Sequence, residues 1–242
     1  MNTATITIII IVLLFIVTTQ HNKKLIIPLE HTSVWAIHDP ILNKVSFDYV
    51  KKNMSNYTTH VNIMTEKYGS DQIEHAGQRY EELTIGEFIT QKDPRKYVKW
   101  VDEDHGLKTS LKWVKSRLIR ILGRPRGKTN WSFWLGFKGS FTSLHYDEEV
   151  TNLLYVIHGL KRITLVSPKD ASILPKSSEH CSDDYIETKG ACWFDIDIFN
   201  AAHVPRKTIL VRSGECIQIP SGYAHAAENL EDTIAVSLTS DA

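Results

Sequence analysis

The stretch FTSLHYDEEVTNLLYVIHGLKR, residues 141–162, sets a histidine and an aspartate two positions apart on the lip of an aliphatic run. Side chains alternate along a strand, so His145 and Asp147 share a face and Tyr146 takes the other. A carboxylate entering a core needs a partner. Beside an imidazole on the same face, Asp147 supplies the second corner of a metal site. The third corner lies in GECIQIPSGYAHAAEN, residues 214–229. There Gly214 opens a strand, Pro220-Ser221-Gly222 makes a turn, and His225 starts the returning strand. A tight turn fixes an imidazole in space. Two histidines and one carboxylate occupy one face of a metal and leave three positions open, the arrangement associated with non-haem Fe(II) oxygenases. The plainer alternative is a buried His–Asp pair with His225 unrelated to it.

A lysine sharpens the reading. Lys161 follows a Gly turn on the strand LKRITLV. An ammonium on a core strand requires an anion, because burying it unpaired is costly. A dicarboxylate would supply that anion, with the Thr142 hydroxyl as a second contact. The competing reading is a lysine that snorkels to solvent. Of eleven histidines, the other nine have no comparable setting. His158 beside Gly159 reads as a turn residue, and His180 and His203 as loop residues.

These side chains must be held by a β-rich frame. From about residue 130 the chain runs through WSFWLGF, NLLYVI, KRITLV, ECIQIP, AHAAEN and TIAVSLT, short segments separated by turn signals. Before that, NKVSFDYVKKNMSN, LTIGEFIT and LKTSLKWVKSRLIRIL have helical spacing. The expected fold is therefore a mainly helical N-terminal half packed on a C-terminal β-sandwich or small barrel. The polar segment 167–210 is either a loop over the site or decoration of the barrel. The 28 basic and 28 acidic residues cancel, which argues against a broad nucleic-acid surface. The basic stretch from Trp113 to Lys128 reads as a solvated helix face. Three cysteines, Cys181, Cys192 and Cys216, do not suggest a disulfide scaffold. Cys181 and Cys192 have the option of pairing, but reduced thiols are the simpler reading.

The N-terminus differs in kind. Residues 3–19, TATITIIIIVLLFIVTT, carry no charge. As a helix they would span about 26 Å, close to a bilayer core. Lys23 and Lys24 follow. The expectation is a single-pass anchor over residues 1–22, with the C-terminal domain facing the cytosol by the positive-inside rule. A buried first helix is the alternative.

The orders T-x-x-H-Y-D…N…G-x-K-R in 142–162 and G-x5-P-x-G-x2-H-x3-N in 214–229 resemble the JmjC and cupin-8 Fe(II)/2-oxoglutarate oxygenases. Within that group the chain resembles the small JmjC hydroxylases of the factor-inhibiting-HIF type. The resemblance implies a mainly β double-stranded β-helix, a cupin or jelly-roll barrel over 130–242, with a helical region over 23–129 packed on it. It implies that His145, Asp147 and His225 bind Fe(II), and that Thr142, Asn152 and Lys161 contact 2-oxoglutarate as cosubstrate. Asn152 lies one residue further from His145 than the usual spacing. Ser237 on the last strand stands where relatives place an Asn, and is the remaining cosubstrate-binding candidate. The implied activity is hydroxylation of a side chain on a protein substrate. The alternatives are lysine demethylation by the same chemistry, a non-catalytic cupin binding module, or a cupin enzyme that uses metal without 2-oxoglutarate.

Overall fold

The computed structural model describes residue 32, residues 34–37, 39–64, 80–101, 107–122, 129–147 and 151–178, residue 181 and residues 191–240. Thirteen strands form two sheets among them: β1 Val34–Ala36, β2 Thr58–Ile63, β3 Tyr80–Thr84, β4 Lys96–Val101, β5 Thr129–Gly136, β6 Phe141–Asp147, β7 Thr151–His158, β8 Leu160–Val166, β9 Ala191–Trp193, β10 Lys207–Arg212, β11 Glu215–Pro220, β12 Ala224–Asn229 and β13 Thr233–Ser240. The larger sheet has the order β1-β11-β7-β13-β5-β4-β2-β3, and the smaller one β10-β8-β12-β6-β9. All the paired neighbours run antiparallel. Two antiparallel sheets facing one another give the mainly β sandwich that the strand spacing implied and the cupin-like architecture that the resemblance implied.

The core has three layers. Between the sheets lie Leu154, Val156, Ile163, Leu165, Ile217 and Ala235. On the outer face of the larger sheet, Leu153, Tyr155, Ile157, Phe133 and Val236 pack against helices. This explains the unbroken aliphatic run of β7. Its even and odd positions are both covered, so no polar alternation is needed. The third layer covers the outer face of the smaller sheet, where Leu144, Val166 and Ala226 meet Phe194, Ile198 and Val204. The described parts of segment 167–210 are thus largely a cover for the back of that sheet.

The three expected helices are present as α1 Phe47–Met54, α2 Ile85–Gln91 and α3 Leu107–Leu122; a fourth, α4, is the short Pro168–Ala171. Ser46 caps α1 through the Tyr49 amide. Thr84 and Glu87 form a reciprocal capping box on α2. In α3, Leu111, Val114 and Leu118 are buried, and Arg117 reaches Asp39 at 2.7 Å. From Trp113 to Leu122 the basic stretch is accordingly part of a helix whose apolar face is seated on the core, and residues 123–128 lie outside the described residues. The same N-terminal half also contributes β2, β3 and β4 to the larger sheet, strands that the mainly helical reading did not include. In KYVKWV of β4 the aromatic residues obscured a strand alternation that tertiary pairing to β5 brings out.

Two expectations need correction. The proposed anchor over residues 1–22 lies outside the described residues. Among the described residues no helix is long and apolar enough to cross a membrane. The single-pass membrane assignment, with its cytosol-facing domain, is therefore not supported. An uncharged apolar run is a matter of composition, and composition alone does not establish a spanning helix. Second, Cys181 and Cys192 are joined in a disulfide, while Cys216 is free and buried. The spacing of three cysteines does not reveal that β9 folds back to bring two of them together.

Candidate metal centre

His145 and Asp147 sit near the end of β6, and His225 is the second residue of β12, directly opposite His145 in the register. The turn before β12 places His225. Gly222 adopts φ +77°, a left-handed conformation that glycine enters without steric cost. The ligand atoms of the three residues all lie within 4.8 Å of one another. His225 Nε2 is 3.5 Å from Asp147 Oδ2, and His145 Nε2 is 3.8 Å from Asp147 Oδ1. Both imidazoles are buried, whereas Asp147 is partly open.

The protein sets the imidazole tautomers through its backbone. His145 Nδ1 is 2.8 Å from the Ser143 carbonyl, and His225 Nδ1 is 3.4 Å from that of Tyr223. Carbonyls only accept, so each Nδ1 carries its hydrogen and each Nε2 lone pair points at the carboxylate. Burial, assisted by His225, pushes the His145 pKa down to about 4. The ring is neutral, as a metal ligand must be, at neutral pH. Burial also pushes Asp147 upward, but His145, His225, Lys99 and the Asn152 amide outweigh it and hold the carboxyl below its ordinary value. The His145 ring is further clamped by Trp193 of β9, stacked at 4.4 Å between centroids and 15° between planes.

Thr142 reaches this inner face by an irregularity. In the pairing of β12 with β6, His225 faces His145 and Ala227 faces Thr142. Two steps on β12 match three on β6, so β6 carries an extra residue, a β-bulge. Strict alternation would have sent Thr142 to the face opposite His145; the bulge returns it to the same one. Thr142 and Lys161 line one cavity, together with Tyr97, Trp134 and Asn229. Lys161 is 7% exposed, and burial lowers its pKa from 10.5 to about 8. No hydrogen bond or ion pair reaches its ammonium among the described residues. Asn229, opposite Lys161 in the register, donates from Nδ2 to Ser140 Oγ at 2.7 Å, while its Oδ1 is sealed without a partner.

The other two candidates fall elsewhere. Asn152 lines a second cavity with Asp147, His225 and Ser221, and its Nδ2 donates to Asp147 Oδ2 at 3.5 Å. Ser237 is engaged: its hydroxyl accepts the Trp134 indole N–H at 3.0 Å, and it lines neither cavity. Sequence reasoning missed Trp193, because a strand of three residues leaves no periodicity. It also missed Tyr97, which lies on a strand far from the histidine motifs in sequence, and Trp134, on the strand just before β6.

Comparison with known proteins agrees with the fold. The Cupin-like domain family model matches residues 19–238. A JmjC domain-containing protein of Acanthamoeba polyphaga mimivirus is 28% identical over 141 residues, 55% of this chain and 22% of that protein. JmjC domain-containing protein A of Dictyostelium discoideum is 30% identical over 106 residues, 43% of this chain and 41% of the relative. The chain thus spans well under half the length of these curated relatives. The X-ray structure of E. coli ycfD is similar in fold, with a TM-score of 0.54 at 12% identity, covering 93% of this chain and 52% of that one.

Proposed function

The chain belongs to the cupin-like domain family, and from that premise we propose that it is an Fe(II)- and 2-oxoglutarate-dependent oxygenase that hydroxylates a side chain of a protein substrate. The observation that carries the reading is Lys161. A triad of two histidines and an aspartate suits several metals and several reactions. A buried ammonium without a counter-ion, lining a cavity with Thr142, asks in addition for an anionic guest. A dicarboxylate satisfies that demand.

The residues fit the implied groups. His145 and His225 offer neutral Nε2 atoms and Asp147 offers the anionic oxygen. In this reading Lys161 and the Thr142 hydroxyl hold the distal carboxylate, and the sealed Asn229 Oδ1 gains a water or ligand donor. When bound, Fe(II) and 2-oxoglutarate together supply oxygen-dependent oxidation of a substrate C–H bond, coupled to loss of CO₂ from the cosubstrate. The chain's own part is to ligate, to orient and to keep water away. The aliphatic layer between the sheets does the last. Residues 130–242 would carry the three ligands with Thr142 and Lys161, and 23–129 would support them and add Tyr97 to the cavity wall.

The test is oxygen-dependent succinate release from 2-oxoglutarate by the purified, Fe(II)-loaded protein. Turnover that disappears in Asp147→Ala upholds the assignment. Metal binding without any 2-oxoglutarate binding would overturn it and leave a cupin binding module or an enzyme that needs no such cosubstrate. Formaldehyde release from methylated lysine peptides would replace hydroxylation by demethylation.

A further inference from the structure

The second cavity beside the triad has a chemistry of its own. Asp147 and His225 border it, and Ile219, Pro220 and Tyr223 form apolar walls. Two side-chain atoms of its lining residues, Asn152 Oδ1 and Ser221 Oγ, are sealed from solvent and have no hydrogen-bond partner. Sealing a polar atom without a partner costs free energy, so two such atoms on residues that line one cavity point to a guest. The orientation of Asn152 says which kind. Its Nδ2 faces Asp147 Oδ2 at 3.5 Å. Turning the amide over would set carbonyl against carboxylate, so the free end is the acceptor, Oδ1. The Ser221 hydroxyl accepts or donates as required. No lysine or arginine lines this cavity, and its one acidic member is Asp147. The cavity that holds Lys161 has the opposite character.

We propose that the cavity of Asn152 and Ser221 is a subsite for a hydrogen-bond donor group of the substrate, a neutral or cationic group carrying an N–H or O–H, and not for a carboxylate. Calling the guest the substrate rests on the oxygenase reading; the preference for a donor does not. In the apolar surroundings of Ile219 and Pro220 such bonds are stronger than in water. The site would hold the substrate beside the metal ligands while the dicarboxylate occupies the Lys161 cavity. Asn152 is thereby moved from the cosubstrate to the substrate.

Acetamide and acetate test this, because they share a shape and differ in the N–H donor and the charge. Saturation-transfer NMR on the full-length protein should show acetamide binding and acetate binding far more weakly at this cavity. Ser221→Ala, which removes one partner, should weaken acetamide about five- to tenfold. Asn152→Leu should abolish the preference for acetamide over acetate. Unlabelled 2-oxoglutarate should displace acetate from the Lys161 cavity and leave acetamide bound. Equal acetamide signals in wild type and both variants would overturn the subsite and leave only an ordered water there. A failure of 2-oxoglutarate to bind, with the acetamide response of the variants intact, would refute the oxygenase reading and spare the subsite.

Discussion

Lys161→Met separates function from stability at one position. Wild-type Lys161 is 7% exposed, and burial lowers its pKa from 10.5 to about 8. That displacement, some 2.5 pH units, corresponds to about 3 kcal/mol of penalty for keeping the ammonium charged in the folded protein at neutral pH. Methionine keeps most of the stem and removes the charge. The ligand-free variant should therefore be more stable than wild type at pH 7, by up to about 3 kcal/mol before packing losses. The pH dependence follows from the sign of the shift. The folded pKa is depressed, so between about 8 and 10.5 the unfolded chain binds the extra proton and wild-type stability rises with pH. The advantage of the Lys161→Met variant should be full below pH 8 and fade toward pH 10.5. Binding should move the other way. Loss of a charge-assisted contact to a carboxylate costs about 1.5–3 kcal/mol, or roughly 10- to 100-fold in 2-oxoglutarate affinity. Wild-type affinity should be flat below pH 8 and decline above it as the ammonium loses its proton. Urea unfolding at pH 7 and pH 10, with calorimetric titration of 2-oxoglutarate into Mn(II)-loaded protein, measures both. A variant no more stable than wild type with unchanged 2-oxoglutarate affinity would refute the assignment of Lys161 as an uncompensated anion receptor.

Four further outcomes are expected. Asp147→Ala should be the most damaging of the triad substitutions for Fe(II) binding, since it leaves two neutral imidazoles, while circular dichroism shows a folded barrel; full iron occupancy would sink the site. The metal-free protein should lose stability as pH falls from about 6.5 to about 4, because His145 is depressed by burial and the unfolded chain takes the proton first; the loss approaches about 3 kcal/mol, read from urea midpoints and much reduced in His145→Gln. Gly159→Ala should cost at least about 2 kcal/mol, because φ is +83° and a Cβ would meet the Asp232 carbonyl oxygen at 2.2 Å; an unchanged melting temperature would contradict this. Reducing the Cys181–Cys192 disulfide, whose partners are 11 residues apart, should remove about 3 kcal/mol and loosen β9, so Trp193 fluorescence should change on adding dithiothreitol and not in Cys192→Ser.

The cluster of His145, Asp147 and His225 was legible in the linear chain because its rules are local. Alternation puts His145 and Asp147 on one face, and the Pro220-Ser221-Gly222 sequence favours a turn by its own backbone preferences. The strands from residue 130 onward and the three helices were legible for the same reason, through period and caps. What lay beyond the sequence came from pairing between distant strands. The bulge in β6 that brings Thr142 to the side of His145 exists only against β12. Ser237 lines neither cavity, because β13 lies beside β5 and offers its hydroxyl to Trp134. Asn152 went to the cavity of Ser221 rather than that of Lys161, since β7 and β11 are neighbours and Asn152 faces Ile219 in the register. Trp193 reached His145 through a three-residue edge strand. Periodicity records which way a side chain points along its own strand, whereas the neighbour it meets is decided by sheet order and register, which no local pattern encodes.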